Sequence, residues 1–388
     1  MRHDYIVVGA GITGSSTAYH LVKGGAGSVL LLDRQGPAAG GTGKSAAIIR
    51  QHYSTPLAAR LTRDSIGMLG RMPDELGASG GFVACGWRML VPDSMAEGVR
   101  KNVAMQTSIG IRTTYVEGKA ATEGLDWLNP EGIAGIVHEP DGGYADPVQA
   151  TEAYVQAFIR AGGTFSPKAP VRALLRDGDR VTGVLTDEGT IEAGCVVNAS
   201  GPWAGLLAAS AGIDLPIRVI REQDTVWGAR GDRPLPDTSI SNAVDAIYLR
   251  PLGDRRYIVG RGFPKDYFDA DPNNYKLTAD DDFIADVRSR LERRFPPMMQ
   301  GATLLDSYAA LYDVTPDWYP FIGPRKGLSG YADASGGSGH GFKIGPAIGA
   351  ELAAWLRTGE VRDDFRQLSH DRLAEGRPFI QAFGGNRG

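Results

Sequence analysis

The sequence of 388 residues predicts a mixed α/β fold in which an N-terminal strand–turn–helix–strand unit is interrupted further along by β-rich insertions. Three observations indicate this fold. An apolar strand pattern at 5–8 leads into a glycine motif and a helix pattern. The middle of the chain alternates strand-like runs with turn signals. Near the other end, "SGGSGHGFKIGPAIGAELAAWL" (335–356) joins a glycine-rich loop to a helix.

The N-terminal unit consists of "YIVV" (5–8), the motif "GAGITG" (9–14), a helix pattern and a second apolar run, "SVLLLD" (28–33), that ends in an acid. Both apolar runs are typical of buried strands. The glycine motif therefore lies between a strand and a helix, which is the context that gives a G-x-G-x-x-G motif its meaning.

In this context Gly9 permits a sharp turn, Gly11 permits a pyrophosphate to approach the backbone, and Gly14 permits the helix to pack closely on the strand. The helix N-terminus offers N–H groups and a partial positive charge to phosphates. Asp33 can accept hydrogen bonds from ribose hydroxyls. The unit predicts dinucleotide binding. The alternative is a glycine-rich turn that binds nothing, and the motif does not separate FAD from NAD.

The insertions are predicted from patterns in the middle of the chain. These are an irregular, turn-rich excursion at 120–147, an amphipathic helix at 146–163 with the face Ala150, Ala153, Tyr154, Ala157 and Phe158, an antiparallel meander at 170–201, a hairpin at 246–263, a helix at 281–295, and strand, turn, strand at 307–324. We expect the insertions to form a second domain, with a ligand between the two domains.

Composition excludes several classes of protein. The net charge of −4, with no polybasic run, implies no general attraction to nucleic acid or anionic lipid. No apolar run approaches the roughly 18 residues of a membrane span, and no cleavable signal peptide is visible, so a cytoplasmic protein is expected. The two cysteines, Cys85 and Cys195, exclude a disulfide framework and argue against a zinc site. Cys195 is interpreted as a core residue.

Four motifs in fixed order carry a resemblance: "DYIVVGAGITGSSTAYHL", "VVNASGPWAG", "LYDVTPD…PFIG" and "SGHGFK…G". The set resembles the FAD-dependent amino-acid and amine oxidoreductases of the D-amino-acid oxidase superfamily. Within that superfamily it resembles most closely the sarcosine oxidase, glycine oxidase and dimethylglycine dehydrogenase-like proteins. The resemblance implies a Rossmann-like FAD-binding domain at 1–83, 144–215 and 325–388. It also implies an interleaved antiparallel-sheet substrate domain at 84–143 and 216–324.

The resemblance implies that separate parts of the chain bind FAD: Gly9, Gly11, Ile12, Thr13, Gly14, Asp33, Arg34, Thr42, Lys44, Ser45, Ala46, Val171, Ser200, Gly201, Trp203, Gly337, Gly339, His340, Gly341, Phe342 and Lys343. In relatives the loop at 335–345 runs along the flavin ring, where side chains would collide with it. The following helix and Lys343 would place positive charge at the pyrimidine edge. The alternative is a Schellman-type loop with a solvated lysine.

Arg50 in "KSAAIIRQHY" and Lys343 resemble the two anchors that hold a substrate carboxylate in sarcosine oxidase relatives. The alternative for Arg50 is a structural salt bridge. Tyr312 and Tyr248 are the next candidates. Tyr312 stands where glycine-oxidase-like relatives carry a carboxylate-binding arginine, and Tyr248 lies on a strand expected to face the flavin. Each could equally be a core aromatic residue with a satisfied hydroxyl. His340 either tunes the flavin or hydrogen-bonds backbone, with the second favoured.

The sequence also departs from some relatives. Ala310 stands where some sarcosine oxidases carry the cysteine that attaches flavin, so FAD is expected to be non-covalent. Val259 stands near the place of a lysine that assists oxygen, so the use of oxygen is left open. Tyr144, Ala145 and Asp146 stand where one multisubunit oxidase attaches a second flavin to a histidine, so no second flavin is expected.

The resemblance implies oxidation of the C–N bond of a small amino acid or N-alkyl (N-carboxymethyl) amino acid. Hydride would pass to flavin N5 and the imine would hydrolyse. The amine must be neutral, and neighbouring cations would favour that form, so no protein base is strictly required. Reduced flavin would pass electrons to O2, giving H2O2, or to another acceptor. Two rivals are an NAD-dependent dehydrogenase and a non-catalytic flavin-binding subunit. The sequence does not indicate the oligomeric state.

Overall fold

The computed structural model describes residues 2–380. The strands in this range are β1 (Arg2–Val8), β2 (Val29–Leu32), β3 (Ile48–Ile49), β4 (Trp87–Val91), β5 (Thr114–Glu117), β6 (Gly135–Glu139), β7 (Gly143–Tyr144), β8 (Thr164–Ser166), β9 (Val171–Asp177), β10 (Arg180–Thr186), β11 (Gly189–Asn198), β12 (Arg218–Gly228), β13 (Ser239–Asn242), β14 (Ile247–Gly253), β15 (Arg256–Arg261), β16 (Phe268–Asp269), β17 (Thr303–Val314), β18 (Phe321–Arg325) and β19 (Leu328–Ser335).

The helices are α1 (Ile12–Lys23), α2 (Pro56–Leu76), α3 (Ala96–Ser108), α4 (Pro147–Arg160), α5 (Ala204–Ala209), α6 (Asp281–Arg294), α7 (Pro296–Met299), α8 (Gly341–Thr358), α9 (Asp363–Arg366) and α10 (Asp371–Ala374). Short 3-10 turns cover Thr42–Lys44, Asp93–Met95, Gly118–Ala121 and Gly201–Trp203. Within residues 2–380, no helix combines the length and the apolar character needed to cross a membrane.

The first sheet has eight strands and contains the N-terminal unit. β1 is parallel to β2, with Tyr5 opposite Val29, and parallel to β11, with Tyr5 opposite Cys195. β8 extends the sheet beyond β2, while β19 runs parallel to β11 and is followed by antiparallel β18. β9, β10 and β11 form the predicted meander. The predicted N-terminal unit and the meander are confirmed, and the mixed α/β class is confirmed with them.

Helices cover both faces of this sheet because alternate residues of each strand point to opposite sides. Val7 of β1 packs on the side of α1, α2, α4 and α8, whereas Ile6 and Val8 pack on the side of α5. The predicted face of α4 is fully buried, which confirms that helix. Its first turn is capped by Asp146, whose carboxylate accepts hydrogen bonds from the N–H groups of Val148 and Gln149.

The second sheet has nine strands in the order β16-β12-β15-β14-β13-β4-β6-β5, with β17 paired to β12. The predicted hairpin is confirmed as β14–β15, and the helix predicted at 281–295 is confirmed as α6. The interpretation of 120–147 as an irregular excursion was wrong, because it contains β6 and β7. β6 is an interior strand between β4 and β5. Its partner strands are distant in sequence. Its five residues are also flanked by turn-rich segments, so the sequence pattern does not indicate a strand there.

The predicted strand, turn, strand at 307–324 is confirmed as β17 and β18, but the two strands join different sheets. β17 pairs with β12 in the second sheet, whereas β18 pairs with β19 in the first. The chain therefore crosses between the sheets within 315–320. The proposed domain division, which ends the substrate domain at 324, stays a prediction.

Helices α1 and α8 lie side by side because small residues face the contact. A Cβ atom on Gly345 would lie 2.7 Å from Cγ2 of Ile12, and one on Gly349 would overlap Ser16. The Ser16 hydroxyl donates a 2.9 Å hydrogen bond to the Pro346 carbonyl. The first residues of both helices line the same cavity, so the close packing brings two positively polarised helix N-termini to one site.

Candidate active site

A cavity of about 510 Å³ lies between the two sheets. Its walls come from the β1–α1 turn, the segment 39–50, the 3-10 turn at 201–203, the faces of β12, β14 and β17, and the first turns of α8. Every residue that the sequence analysis assigned to cofactor or substrate lies on its wall. The tertiary structure thus brings those separate parts of the chain together. Their individual roles stay predictions.

The β1–α1 turn is made of backbone with almost no side chain. Gly9 has φ +107°, a conformation that favours glycine, and a Cβ atom there would overlap the Ala199 carbonyl. A Cβ atom on Gly14 would overlap the carbonyl oxygen of Gly9. The first turn of α1 contains no acidic residue, so its positive end stays uncompensated. This is a cradle shaped for a phosphate group.

Asp33 organises the next turn. Its Oδ2 atom accepts a 2.8 Å hydrogen bond from the Ala10 N–H, and its Oδ1 atom accepts bonds of 2.8 and 2.9 Å from the N–H groups of Gln35 and Gly36. Asp33 therefore ties β2 to the glycine turn. A carboxylate has about four acceptor positions, so capacity is left for a ribose hydroxyl.

At the same end of the cavity as the glycine turn, the wall carries aromatic and cationic side chains. The Arg34 guanidinium lies 3.6 Å from the centre of a Trp203 ring, and the Trp203 indole N–H donates a 2.9 Å hydrogen bond to Asn273. The Lys44 ammonium donates bonds to the Tyr275 hydroxyl (2.9 Å) and the Ala309 carbonyl (3.2 Å). Together with the glycine cradle, these groups fit a dinucleotide cofactor such as FAD.

The other end begins at the glycine-rich loop before α8. Gly339 has φ +78°, and a Cβ atom there would overlap the Tyr312 ring, so the loop lies directly against that tyrosine. His340, the residue before α8, makes no capping bond with its side chain, and the first turn of α8 contains no acidic residue. The N-terminus of this helix therefore also faces the cavity without a compensating negative charge.

Lys343 lies in this first turn and is 9% exposed. Its side chain makes no hydrogen bond or ion pair with any of residues 2–380. Burial, and then the nearby charge of Arg50, lower the pKa of the Lys343 ammonium well below its usual range. A buried lysine beside an arginine and a positive helix end is unfavourable by itself, so this arrangement is suited to binding an anion.

Arg50 lies at the same end and is also 9% exposed. Its guanidinium donates a hydrogen bond to the His52 carbonyl and lies 4.8 Å from the Tyr53 ring and 5.9 Å from a Trp87 ring. The aromatic rings hold the guanidinium in place. Arg50 and Lys343 therefore form a cationic pair on one wall.

His340 is held on both sides. Its Nε2 atom lies 2.7 Å from the Trp318 carbonyl, which can only accept, so Nε2 carries the proton. Its Nδ1 atom then accepts a 3.2 Å bond from the Tyr53 hydroxyl. Burial and the charge of Lys343 lower the pKa of His340 to about 3, so the ring is neutral. The favoured interpretation, a bond to backbone, agrees with these contacts.

The acids near the site that the sequence did not indicate include Asp224 and Glu139. Asp224 on β12 lines the cavity, and the Tyr248 hydroxyl donates a 2.7 Å hydrogen bond to its Oδ1 atom. Burial raises the pKa of Asp224 to about 6. The sequence feature that could have indicated Asp224 is an acidic residue inside the strand-like stretch "REQDTVW". Glu139 on β6 is fully buried, and its Oε2 atom accepts a 2.6 Å bond from the Gln51 N–H.

The structure shows where three of the residues lie at which the sequence departs from some relatives. Ala310 lines the cavity, whereas Val259 is buried in the core of the second sheet and does not line it. The Tyr144 ring lies 4.4 Å from the Arg250 guanidinium. Cys85 and Cys195 are both free, and Cys195 packs against the core, as interpreted.

The chain belongs to the family of FAD dependent oxidoreductases (DAO), whose family model matches residues 4–355. The resemblance found in the sequence is confirmed at the level of this family. The first rival, an NAD-dependent dehydrogenase of another family, does not agree with this match.

Three similar proteins sharpen the comparison. A 4-methylaminobutanoate oxidase (formaldehyde-forming) of Paenarthrobacter nicotinovorans is 28% identical over 95% of this chain and 45% of its own length. Sarcosine oxidase subunit beta of Rhodobacter capsulatus is 25% identical over 92% of this chain and 86% of its own. The crystal structure of L-proline dehydrogenase from P. horikoshii superposes with a TM-score of 0.88 at 26% identity, covering 97% of this chain and 99% of that one.

The chain spans only 40–45% of the length of the first curated relatives that it matches.

Proposed function

We propose that this protein oxidises the C–N bond of a small amino acid or N-alkyl amino acid, and that Arg50 and Lys343 bind the substrate carboxylate. The observation that carries the proposal is the environment of the Lys343 side chain. This residue is buried, has no acidic partner within residues 2–380, and stands in the first turn of a helix beside Arg50. An anionic group would relieve the repulsion between these positive charges, and binding it would favour the protonated lysine.

The amine part of the proposal is supported by the relatives. They are named for 4-methylaminobutanoate, sarcosine and L-proline, and each of these compounds joins a carboxylate to a secondary amine. The cavity suits such a compound because its substrate end combines cations with the rings of Tyr248, Tyr312 and Trp87. The aromatic rings would exclude water from the reacting carbon.

In this proposal bound FAD supplies the acceptor for the hydride from the carbon next to nitrogen. The glycine turn before α1 and the Arg34–Trp203 pair would hold its nucleotide part, and residues of the loop 337–343 would bind its flavin part. Arg50 and Lys343 orient the carboxylate, which fixes the position of the amine. The imine product is hydrolysed in water. Ala310 offers no thiol for attachment, so we propose that FAD is non-covalent, and acid precipitation should leave all flavin in the supernatant.

The test is anaerobic reduction of the purified holoprotein, followed at the flavin absorbance maximum. The panel contains sarcosine, N,N-dimethylglycine, iminodiacetate, L-proline, 4-methylaminobutanoate, glycine and D-alanine. Each amine is paired with the same compound lacking its carboxylate. We expect one class to bleach the flavin, and we expect its decarboxylated partner to be at least about 30-fold poorer because an anchored charge is lost.

Readmission of air then separates the electron acceptors. Recovery of the colour with formation of H2O2 supports an oxidase, and slow recovery supports a dehydrogenase with another acceptor. A protein that binds FAD but is bleached by none of the amines would favour the non-catalytic subunit and contradict the proposal.

A further inference from the structure

The second sheet carries an acid–tyrosine pair that the proposed binding of the carboxylate does not use. Asp224 of β12, Gly260 of β15 and Tyr248 of β14 lie side by side in register across three neighbouring strands. Residues opposite one another in register point to the same face of a sheet. Asp224 and Tyr248 both line the cavity, so this face is the cavity wall.

The pair depends on the glycine between its members. A Cβ atom on Gly260 would overlap both Oδ1 of Asp224 and the hydroxyl of Tyr248. Because this space is free, the Tyr248 hydroxyl reaches across β15 and donates a 2.7 Å hydrogen bond to Oδ1 of Asp224. The carboxylate is thereby fixed in one orientation.

The other oxygen of this carboxylate is left for a ligand. Asp224 is 4% exposed, and among residues 2–380 the Tyr248 hydroxyl is the only hydrogen-bond donor to it, with no cation in ion-pair contact. Its Oδ2 atom therefore has no donor from this part of the chain. A buried carboxylate is stable in its ionised form only when donors or cations surround it. A hydrogen-bond donor that enters the cavity would supply this missing partner.

We propose that Asp224, oriented by Tyr248, binds the amine nitrogen of the substrate and accepts its proton. This inference rests on the proposed function, because it assigns the second pole of a zwitterion whose carboxylate binds Arg50 and Lys343. The N–H bond of the ammonium breaks, the proton moves to Oδ2 of Asp224, and the electron pair stays on nitrogen. No oxidation or reduction occurs in this step. The neutral amine is then the form that can lose hydride.

The proton affinity of Asp224 suits this role. Burial raises its pKa to about 6, against the opposing effect of the Tyr248 hydrogen bond. Asp224 is therefore ionised above about pH 6, and it can accept a proton there. Several titratable or charged groups face it or act on it from the surrounding elements: Tyr248 of β14, Tyr308 and Tyr312 of β17, Glu222 of its own strand, and Lys265, which follows β15 and pairs with Glu222.

The first experiment measures ligand binding, and it does not require turnover. Glycine betaine is a carboxylate with a fixed positive charge, and 3,3-dimethylbutanoate is the same shape with a neutral carbon in place of nitrogen. Their dissociation constants are measured from the change in flavin absorbance at pH 8. We expect the wild type to prefer betaine by at least about tenfold and Asp224→Asn to lose this preference. The control Asp306→Asn, at an exposed acid on β17, should keep it.

The second experiment measures the rate constant for anaerobic flavin reduction between pH 5 and 10, with the amine that bleaches the flavin most rapidly. The wild type should lose activity below about pH 6. Asp224→Asn should lower the rate about 100- to 10,000-fold near pH 7, because a general base is removed. The deficit should shrink as the pH approaches the pKa of the free amine, since the substrate then arrives without its proton.

A second variant keeps the proposal testable if the Asp224→Asn protein does not fold. Tyr248→Phe keeps the carboxylate but removes the hydrogen bond that favours its ionised form, so the acidic limb should shift to higher pH. An unchanged betaine preference and an unchanged acidic limb in both variants would overturn the assignment. A wild type that binds betaine more tightly than its neutral counterpart, yet is bleached by no amine, would instead contradict the proposed oxidation while keeping Asp224 as a cation site.

Discussion

The two ends of the cavity are built in different ways. The nucleotide end is made largely of backbone: Gly9 and Gly14 leave space, and the α1 N-terminus offers a partial positive charge. The substrate end is made of buried ionisable side chains, with Lys343 and Asp224 on separate elements. In the proposed function the first end binds the cofactor through its shape and the helix N-terminus, and the second end binds the substrate through charges that destabilise the fold until a ligand compensates them. Substitutions at the nucleotide end should abolish cofactor binding. Substitutions at the substrate end should abolish activity and leave the fold intact or more stable.

The largest effect is expected from Gly14→Val. The new side chain would overlap the Gly9 carbonyl, so α1 would have to move away from β1 and the phosphate cradle would open. We expect purified protein without bound flavin and with lower thermal stability, measured by the flavin-to-protein absorbance ratio and by circular dichroism. Gly36→Ala is the matched control, because a Cβ atom there meets nothing within 4 Å. Normal flavin content in Gly14→Val would show that this turn does not hold the cofactor.

The next effect is expected from Lys343→Met at the substrate end. Removal of one anchor should lower kcat/KM by about 30-fold to several thousand-fold, corresponding to about 2–5 kcal/mol. The melting temperature should rise, because a desolvated ammonium without a partner in residues 2–380 is replaced by an apolar chain of similar length. Bound flavin should be retained. Lys326→Met, at an exposed lysine, should change neither quantity. A fall in both activity and stability would show that Lys343 is structural.

A pH-dependent effect is expected from Glu139→Gln behind the substrate wall. Burial raises the pKa of Glu139 to about 8, above its ordinary value in the unfolded chain. Between these values the folded state holds a proton that the unfolded state lacks, so this contribution to stability is full below the unfolded pKa and is lost as the pH rises through about 8. Its slope is at most about 1.4 kcal/mol per pH unit.

The stability of Glu139→Gln relative to wild type should therefore increase from pH 5 to pH 8, as measured by urea unfolding at each pH. Glu131→Gln, at an exposed glutamate, should follow the wild type throughout. A constant difference between Glu139→Gln and wild type across this range would contradict a protonated Glu139 in the folded protein.

The smallest effect is expected at the nucleotide end, from Arg34→Ala. The guanidinium lies over Trp203 at the surface, where such contacts are worth about 0.5–1 kcal/mol. FAD affinity should fall about two- to fivefold, measured by fluorescence titration of the apoprotein, with kcat unchanged at saturating FAD. Arg100→Ala, at an exposed arginine on α3, should leave the affinity unchanged. A loss larger than about 50-fold would show that Arg34 contacts the cofactor as a charge.

The same contrast explains what could be predicted from sequence. The strand, Gly9-x-Gly11-x-x-Gly14, helix and Asp33 are continuous in the chain, so local propensity and glycine spacing indicate them directly. β6 was missed because it is a short strand that becomes regular only by pairing with β4 and β5, which are distant in sequence.

The mixed α/β class, the glycine turn between β1 and α1 and the family could be predicted from the sequence alone, because they depend on local patterns and on motifs in fixed order. The remaining features arise from tertiary packing. This packing placed Lys343, which has no acidic partner in residues 2–380, beside Arg50, and it brought Asp224 to Tyr248 across Gly260. Burial and the distance between charges set the proton affinity of these groups, and both arise only when segments far apart in the chain pack together.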